Sequence, residues 1–439
     1  MERRRFALAL LAALALGACG GSADPGTGPD DPKGRPPGLE TPDAASVTKG
    51  ENAASRLGAP YVVLVSLDGF ASRYVAQYRP PALQAMAAQG VWARDGMIPV
   101  FPTLTFPNHW ALATGLYPEH SGLVSNTFLD PARGAWYSLG DQATVTDGTW
   151  YGGEPLWVTA ERQGMVAASY FWVGSEAAVG GVRPSYWRTY DAGVPNDQRV
   201  DQVLEWLRYP QAYRPHMITL YMSTTDAVGH AYGPDSPQMA SAVASVDASI
   251  ARLVAGVDAL EHGSQVTLIV LADHGMDGYG VAGRRYMADA ATLEGVTVAA
   301  SGPAANLHLA AGVEAAAVRD ALGGLDGVAA YLRGEVPERL HYRADPRIGD
   351  VVLVADSGVV VYPENDREET PGWTHGWDNG LLSMRALFVA RGPLLPRGRV
   401  LEPFELVHVY PLVTRLLGLA PAAGIDGSTA FWDRVLQGS

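Results

Sequence analysis

The segment YVVLVSLDGF, residues 61–70, decides the fold class of this chain of 439 residues. Its first seven residues form a short apolar run, which predicts a strand buried on both faces of a sheet. Asp68 follows the run directly, at the carboxyl end of the predicted strand. The pattern recurs, with helical segments between, in MITLYMS (217–223), VTLIVLA (266–272) and ALFVA (386–390). This alternation predicts an α/β fold with a central, largely parallel β-sheet and helices on both faces.

The clearest helical pattern covers residues 237–260. Ser236 is a suitable N-cap, and Pro237 suits the first helical position because its missing N–H needs no partner there. Apolar residues recur at helical spacing at positions 243, 246, 250, 253 and 257. We interpret this stripe as a core-facing surface.

The segment from about residue 278 to residue 370 is less regular than its surroundings. It contains a stretch rich in Gly and Ala and a polar loop, PENDREETPG (363–372). We expect a small inserted subdomain or lid here, with the charged loop itself in solvent.

Composition limits the classes of function. The chain is 47% hydrophobic and 18% charged, which predicts a globular protein with a substantial core. Its net charge of -14, with His neutral, argues against a basic nucleic-acid-binding surface. A small anionic substrate stays compatible with this charge, because bound metal cations would reverse the local field.

The amino-terminal residues indicate export. Three arginines at positions 3–5 precede an apolar run over residues 6–18, which is shorter than the roughly 20 residues of a membrane span. The run ends in LGAC, a pattern similar to the bacterial lipobox, and Cys19 is the single cysteine. We expect a signal peptide (1–18), lipidation of Cys19, a flexible tether (19–57) and a catalytic domain (58–439). The destination would be the periplasm or outer membrane, with the lipid as the only membrane attachment. The alternative is an ordinary signal peptide with a chance cysteine.

Four short motifs carry side chains that commonly bind metals. The six residues are Asp68, Asp226, His230, Asp273, His274 and His375. Three of the motifs follow predicted strands, and ligands of α/β sheets gather beyond the carboxyl ends of strands. One Asp there is an ordinary turn residue, whereas three such positions are hard to explain as turns. Three Asp and three His make two mixed nitrogen and oxygen ligand sets, which suits a pair of zinc ions.

Thr105, in FPTLTFPNH (101–109), is the candidate nucleophile. Pro107 at the first or second helical position would place Thr105 at or beside an N-cap, where backbone N–H groups favour an anion. The alternative is that Thr105 only caps the helix, so its catalytic interpretation depends on the neighbouring metal ligands. His109, one turn further on, is interpreted as a supporting or packing residue.

Nine motifs occur in an order that resembles one family. They are LDGF, PTLTFPNH, TGLYPEHSGLVSN, GEPLWVTAE, FWVGSE, DAVGHAYGP, ADHGM, HGWDN and VHVYPLVTRLLGL. Together they resemble the nucleotide pyrophosphatase/phosphodiesterase family of the alkaline phosphatase superfamily, in the form of a bacterial lipoprotein. The resemblance extends from about Tyr61 to Leu419 and implies an alkaline-phosphatase-like fold.

The resemblance implies a role for each motif residue. One zinc would be held by Asp226, His230 and His375, and the other by Asp68, Asp273 and His274 with Thr105 as its reactive ligand. Thr105 would attack phosphorus in line and form a covalent phosphoryl-threonine. Asn126 would bind a non-bridging phosphate oxygen. Phe106 and Tyr190 would enclose a nucleobase, although core packing and a loop position are the alternative interpretations.

The implied function is hydrolysis of nucleotide phosphodiester or pyrophosphate bonds, with two Zn2+ and release of nucleoside monophosphates. Alternatives are a phosphocholine-type phosphodiesterase, a phosphomonoesterase and a non-catalytic surface lipoprotein that retains zinc. Two residues depart from the family pattern. Leu104 stands where many relatives have Lys, which leaves the substrate detail open, and Trp377 is a conservative replacement of the commoner Tyr. The oligomeric state is left open.

Overall fold

The computed structural model describes residues 35–364 and 370–436. The predicted signal peptide, Cys19 and residues 365–369 of the polar loop lie outside the described residues. The strands are β1 (Tyr61–Leu67), β2 (Val91–Ala93), β3 (Thr127–Asp130), β4 (Ala135–Ser138), β5 (Ala167–Tyr170), β6 (Tyr186–Arg188), β7 (Met217–Met222), β8 (Val266–Leu271), β9 (Asp277–Tyr279), β10 (Arg284–Tyr286), β11 (Val296–Ala300), β12 (Ala304–Leu309), β13 (Val328–Leu332), β14 (Val351–Ala355), β15 (Val360–Tyr362), β16 (Gly372–Thr374), β17 (Phe388–Arg391) and β18 (Arg399–Leu401). The helices are α1 (Tyr74–Tyr78), α2 (Pro81–Gln89), α3 (Thr105–Thr114), α4 (Pro118–Ser121), α5 (Gln142–Val145), α6 (Leu156–Arg162), α7 (Asn196–Arg208), α8 (Thr224–Tyr232), α9 (Pro237–Asp258), α10 (Ala315–Leu322), α11 (Val409–Leu417) and α12 (Thr429–Leu436).

The central sheet has eight strands in the order β18-β2-β17-β8-β1-β7-β5-β6. Strands β8, β1, β7, β5 and β6 run parallel, and β17 is antiparallel to both of its neighbours. Every residue of β1, β7 and β8 is buried, as expected for strands covered on both faces. The predicted α/β class with a largely parallel sheet is therefore confirmed.

Helix α9 confirms the predicted capping and packing. Ser236 Oγ accepts a hydrogen bond from the N–H of Met239 at 3.1 Å, and Pro237 begins the helix. The helix is long and apolar enough to cross a membrane by length and composition. Val246, Ile250 and other residues of its apolar stripe are fully buried, however, so α9 serves as a core helix.

The segment between β9 and β16 has a sheet and a core of its own. Strands β11, β12, β14 and β13 form a four-stranded antiparallel sheet with which helix α10 is in contact. Its core includes Leu307 and Leu353, together with Trp377 and Met384 from the segment that follows His375. This packing fixes the chain on the carboxyl side of His375. That the segment is an inserted subdomain or lid stays a prediction.

Part of the predicted tether is folded. The compact unit that contains the central sheet begins at Glu40. The backbone N–H and hydroxyl of Thr48 donate to Glu161 Oε2 at 2.9 and 2.8 Å, and Asn52 Oδ1 accepts from the N–H of Val166 at 2.7 Å. That residues 19–57 form a flexible tether stays a prediction, and Thr48 and Asn52 within it bond to the domain.

Candidate active site

The carboxyl ends of the three central strands bring distant motifs together. Asp68 directly follows β1, Asp273 lies just beyond β8, and α8 begins shortly after β7. Asp226 and His230 lie one turn apart in α8, so both side chains leave the same face of the helix. A Cβ on Gly229 would stand 2.8 Å from the methyl carbon of Met276, so glycine allows α8 to approach the chain after His274.

The first ligand group consists of Asp226, His230 and His375. Their ligand atoms all lie within 4.8 Å of one another. Asp226 Oδ1 is 3.4 Å from His230 Nε2 and 3.5 Å from His375 Nε2. One carboxylate oxygen therefore faces two imidazole nitrogens.

The second predicted ligand group is Asp68, Asp273 and His274, and ligand atoms of Asp68 and Asp273 also lie within 4.8 Å of one on His109. His274 Nε2 lies 2.9 Å from Asp273 Oδ2, 3.4 Å from Asp68 Oδ1 and 3.3 Å from the hydroxyl of Thr105. Ligand atoms of Asp68, Asp226 and His274 also lie within 4.8 Å of one another, so the two groups adjoin. The His274 ring stacks on that of His375 with centroids 3.6 Å apart.

The donor atoms of both groups fit metal ions. Among the described residues, Asp68 Oδ1 and Asp226 Oδ1 are buried and have no hydrogen-bond partner, and the buried Asp273 Oδ2 faces only imidazole nitrogens of His274 and His109, at 2.9 and 3.3 Å. Such oxygens are costly unless a cation or donor satisfies them. Three carboxylate oxygens and three imidazole nitrogens suit a divalent transition metal such as zinc.

The three histidines are oriented by backbone carbonyls. Their Nδ1 atoms lie 2.8–2.9 Å from carbonyl oxygens of Trp373, Gly275 and Thr103, the partners of His230, His274 and His375 respectively. A carbonyl only accepts, so each Nδ1 carries the proton and each Nε2 is left as a ligand.

Burial and charge perturb the acidic groups strongly. Burial, and then the Asp273 carboxylate, raises the pKa of Asp68 well above its ordinary value. Burial also raises the pKa of Asp226. Although burial opposes it, the neighbouring His274, when protonated on both ring nitrogens, holds the pKa of Asp273 well below its ordinary value. The carboxylates thus compete for positive charge, which is the condition that a bound cation relieves.

Thr105 lies at the start of α3, beside these ligands. Leu104 is the N-cap, Thr105 is the first helical residue and Pro107 the third, one position later than expected. Asn126 Oδ1 accepts from the N–H of Phe106 at 2.9 Å, which leaves the amide Nδ2 of Asn126 free of this contact. His109 Nδ1 lies 2.9 Å from the Thr105 carbonyl oxygen, in agreement with a supporting role.

The two aromatic residues predicted to enclose a base differ in exposure. Phe106 is half-buried and packs edge-on against Tyr137, with centroids 6.2 Å apart. Tyr190 is 45% exposed and contacts Phe171 and Tyr221. An exposed aromatic ring near the site suits stacking on a ligand, but enclosure of a base stays a prediction.

Tyr221 and Thr225 were missed by the sequence reasoning. The hydroxyl of Tyr221 donates to Asp68 Oδ2 at 2.5 Å, and the hydroxyl of Thr225 donates to the Asp68 carbonyl. Together they fix Asp68 with Oδ1 towards the other ligands. The sequence offered one indication, the position of Tyr221 near the carboxyl end of a predicted buried strand, and core packing explains a tyrosine there equally well.

Comparisons with known proteins agree with this geometry. Residues 62–378 match the family described as type I phosphodiesterase/nucleotide pyrophosphatase. The chain is 35% identical over 389 residues to ectonucleotide pyrophosphatase/phosphodiesterase family member 3 of Rattus norvegicus, with 86% of this chain and 44% of the relative covered. It is 34% identical over 388 residues to venom phosphodiesterase CdcPDE of Crotalus durissus collilineatus, with 86% and 46% covered. The chain thus spans less than half the length of these relatives.

A solved structure shares the fold. Inactive murine ectonucleotide pyrophosphatase/phosphodiesterase 5 in complex with AMP matches with a TM-score of 0.81 and 29% identity. The match covers 86% of this chain and 100% of the murine chain. With motifs, fold and family match in agreement, the chain belongs to the type I phosphodiesterase/nucleotide pyrophosphatase family.

Proposed function

We propose that this protein is a two-zinc phosphodiesterase that hydrolyses nucleotide phosphodiester or pyrophosphate bonds and releases nucleoside monophosphates. The observation that carries the proposal is the position of the Thr105 hydroxyl. It lies at the amino terminus of α3 and 3.3 Å from His274 Nε2, which itself lies 2.9 Å and 3.4 Å from buried carboxylate oxygens of Asp273 and Asp68. The family match and the AMP complex of the murine relative support the nucleotide substrate.

The metal sites would be formed by Asp226, His230 and His375 and by Asp68, Asp273 and His274 with Thr105. When bound, the two ions would lower the pKa of the Thr105 hydroxyl and neutralise charge on the substrate phosphate. The remaining chemistry belongs to side chains of the protein.

Thr105 Oγ1 attacks phosphorus, and the bond to the leaving oxygen breaks on the opposite side. The product is a covalent phosphoryl-threonine that still carries the nucleoside, and water then cleaves the new Thr105–phosphorus bond. Asn126 donates from Nδ2 to a non-bridging oxygen, since its Oδ1 is engaged by the N–H of Phe106. Donors fixed in advance stabilise charge that develops in the transition state. Phe106 and Tyr190 contact the base.

A substrate panel tests the reaction class. We expect hydrolysis of p-nitrophenyl-TMP to exceed that of p-nitrophenyl phosphate and of p-nitrophenylphosphocholine, and EDTA to abolish it. Preference for the monoester or for the choline ester would refute the nucleotide assignment. If metal analysis shows that the metal has been removed and the activity is nevertheless undiminished, the zinc assignment is refuted.

The nucleophile is tested by Thr105→Ala. We expect a folded protein without diesterase activity and without the nucleotidyl mass adduct that acid-quenched wild type should show. Thr114→Ala is the matched control, because Thr114 ends the same helix and its hydroxyl bonds only to backbone groups, donating to the Trp110 carbonyl and accepting from the N–H of Leu116. Unchanged activity in Thr105→Ala would exclude the proposed nucleophile.

We also propose export and lipid attachment through Cys19. The basic and apolar residues 3–18 support export. The names of the relatives, an ectonucleotide pyrophosphatase/phosphodiesterase and a venom phosphodiesterase, are consistent with an extracellular location. Cys19→Ala should abolish labelling by a clickable fatty acid and release the protein from the membrane fraction. Continued labelling of this variant would contradict the assignment.

A further inference from the structure

Asn126 lies in a segment, residues 122–130, that is anchored from outside the central sheet. Strand β3 at its carboxyl end pairs with β4 in a two-stranded hairpin, separate from the eight-stranded sheet. A hairpin of this kind has little stability of its own. Its position must therefore be fixed by other contacts.

Arg347, from the segment between β9 and β16, holds both ends of residues 122–130. Its Nη1 donates to the carbonyl of Gly122 at 2.9 Å, and its Nε donates to Asp130 Oδ2 at 2.9 Å. The Arg347 side chain is 14% exposed and that of Asp130 6% exposed, so solvent screens this pair little. A Cβ on Gly122 would approach Nη1 to 2.7 Å, which shows how closely the guanidinium lies on this backbone.

Tyr342, from the same segment, holds the middle. Its buried hydroxyl donates to the Val124 carbonyl at 2.8 Å and accepts from Asn306 Nδ2 of β12 at 2.7 Å. Its ring packs edge-on against Phe101, with centroids 5.2 Å apart. Tyr342 therefore bonds to the backbone two residues before Asn126 and also contacts the loop that leads to Thr105.

We propose that Tyr342 and Arg347 are positioning residues that aim the Asn126 amide at the substrate phosphate. The inference rests on the proposed function, because it assigns Asn126 to that phosphate. Three anchors on nine residues fix the donor before substrate binds, and small misplacements of such groups are costly in rate. Neither residue needs to touch substrate.

Tyr342→Phe removes one oxygen and tests the proposal. We expect kcat/KM for p-nitrophenyl-TMP to fall at least about tenfold, chiefly in kcat, because the donor acts on the transition state. Tyr410→Phe is the matched control: this buried hydroxyl also makes two hydrogen bonds, to Thr159 and Ala422, but lies near the far end of α3. We expect its kcat/KM to stay within about twofold of wild type.

A double-mutant cycle separates positioning from general damage. In an Asn126→Ala background, Tyr342→Phe should change kcat/KM by less than about twofold, because the group that it positions is gone. Equal losses in both backgrounds would overturn the inference while leaving the proposed function intact. Wild-type kcat/KM in Asn126→Ala would instead contradict the proposed role of Asn126, and the positioning inference would fall with it.

Amide hydrogen exchange supplies a readout independent of activity. Tyr342→Phe and Arg347→Lys should both speed exchange in peptides covering residues 122–130, and Tyr410→Phe should not. Arg347→Lys keeps the charge but loses the forked contact, so it serves as the second variant if Tyr342→Phe does not fold. Unchanged exchange in a folded variant would overturn the anchoring, whatever the substrate.

Discussion

Replacing Asp68 by Asn should stabilise the metal-free protein and destabilise the metal-loaded one. Asp68 Oδ1 is buried without a partner among the described residues, and ligand atoms of Asp68 and Asp226 lie within 4.8 Å. Ionised together at that distance, the two carboxylates would repel by about 3 kcal/mol at an effective dielectric constant of 20, so in the metal-free protein Asp68 either bears this repulsion or binds a proton, in keeping with its raised pKa. The nearby His274 offsets part of this, so we expect a gain of about 2 kcal/mol. The Asn oxygen still accepts from Tyr221.

The assay is thermal unfolding in EDTA and in excess zinc. An unfolding entropy of about 2 cal/mol/K per residue converts this gain to a Tm roughly 2 °C higher in EDTA. In zinc the sign reverses, because a lost ligand weakens metal affinity and with it the ligand-linked stability. Asp247→Asn is the control: Asp247 is buried outside the site and accepts from the N–H groups of Ala82 and Leu83. It should lower Tm in both conditions.

One result would refute this reasoning. If Asp68→Asn lowers Tm in EDTA as much as in zinc, the Asp68 carboxylate contributes to stability without metal. The lack of a hydrogen-bond partner at Asp68 Oδ1 would then not be evidence for a cation site.

Further predictions concern stability away from the site. Burial lowers the pKa of His216 to about 4. The free energy of unfolding should therefore fall by about 3 kcal/mol as the pH is lowered from 6.5 towards 4. In urea titrations of the metal-free protein, His216→Phe should reduce that loss. Unchanged pH dependence in the variant would contradict this. Glu161 accepts five hydrogen bonds from Thr48, Ala167 and Ser185. Glu161→Gln should therefore lower the free energy of unfolding by about 2–4 kcal/mol in the same titration. A decrease of less than about 1 kcal/mol would contradict this prediction.

The sequence was informative where local pattern and geometry coincide. The apolar run before Asp68 gave the bounds of β1, and Ser236 with Pro237 gave the start of α9. The predicted ligand residues converge because parallel strands end at one edge of the sheet. Strand direction was not readable: the ALFVA run contributes to β17, which is antiparallel, and nothing in a short apolar run encodes direction.

Long-range polar contacts were beyond the sequence. Arg347 and Tyr342 lie in an irregular segment where Arg and Tyr are ordinary surface residues, and only folding brings them to residues 122–130. Residues 40–57 have the composition of a linker. The amino-acid types of polar residues do not show whether their side chains bond to the domain or to water. The sequence pattern therefore predicts the helices and strands more reliably than it predicts their long-range hydrogen-bond partners.

The central position of β1 has a consequence for the order of folding. Although it comes early in the chain, β1 pairs only with β7 and β8 among the described strands. Its apolar residues have no sheet partner until residue 222 has emerged and lack the second partner until residue 271, and unpaired apolar strands are prone to aggregation. A chain that crosses a membrane unfolded would complete its sheet only on the far side. Any metal ion held at the carboxyl ends of its strands would then come from that compartment, because the ligand groups form only when the sheet is complete.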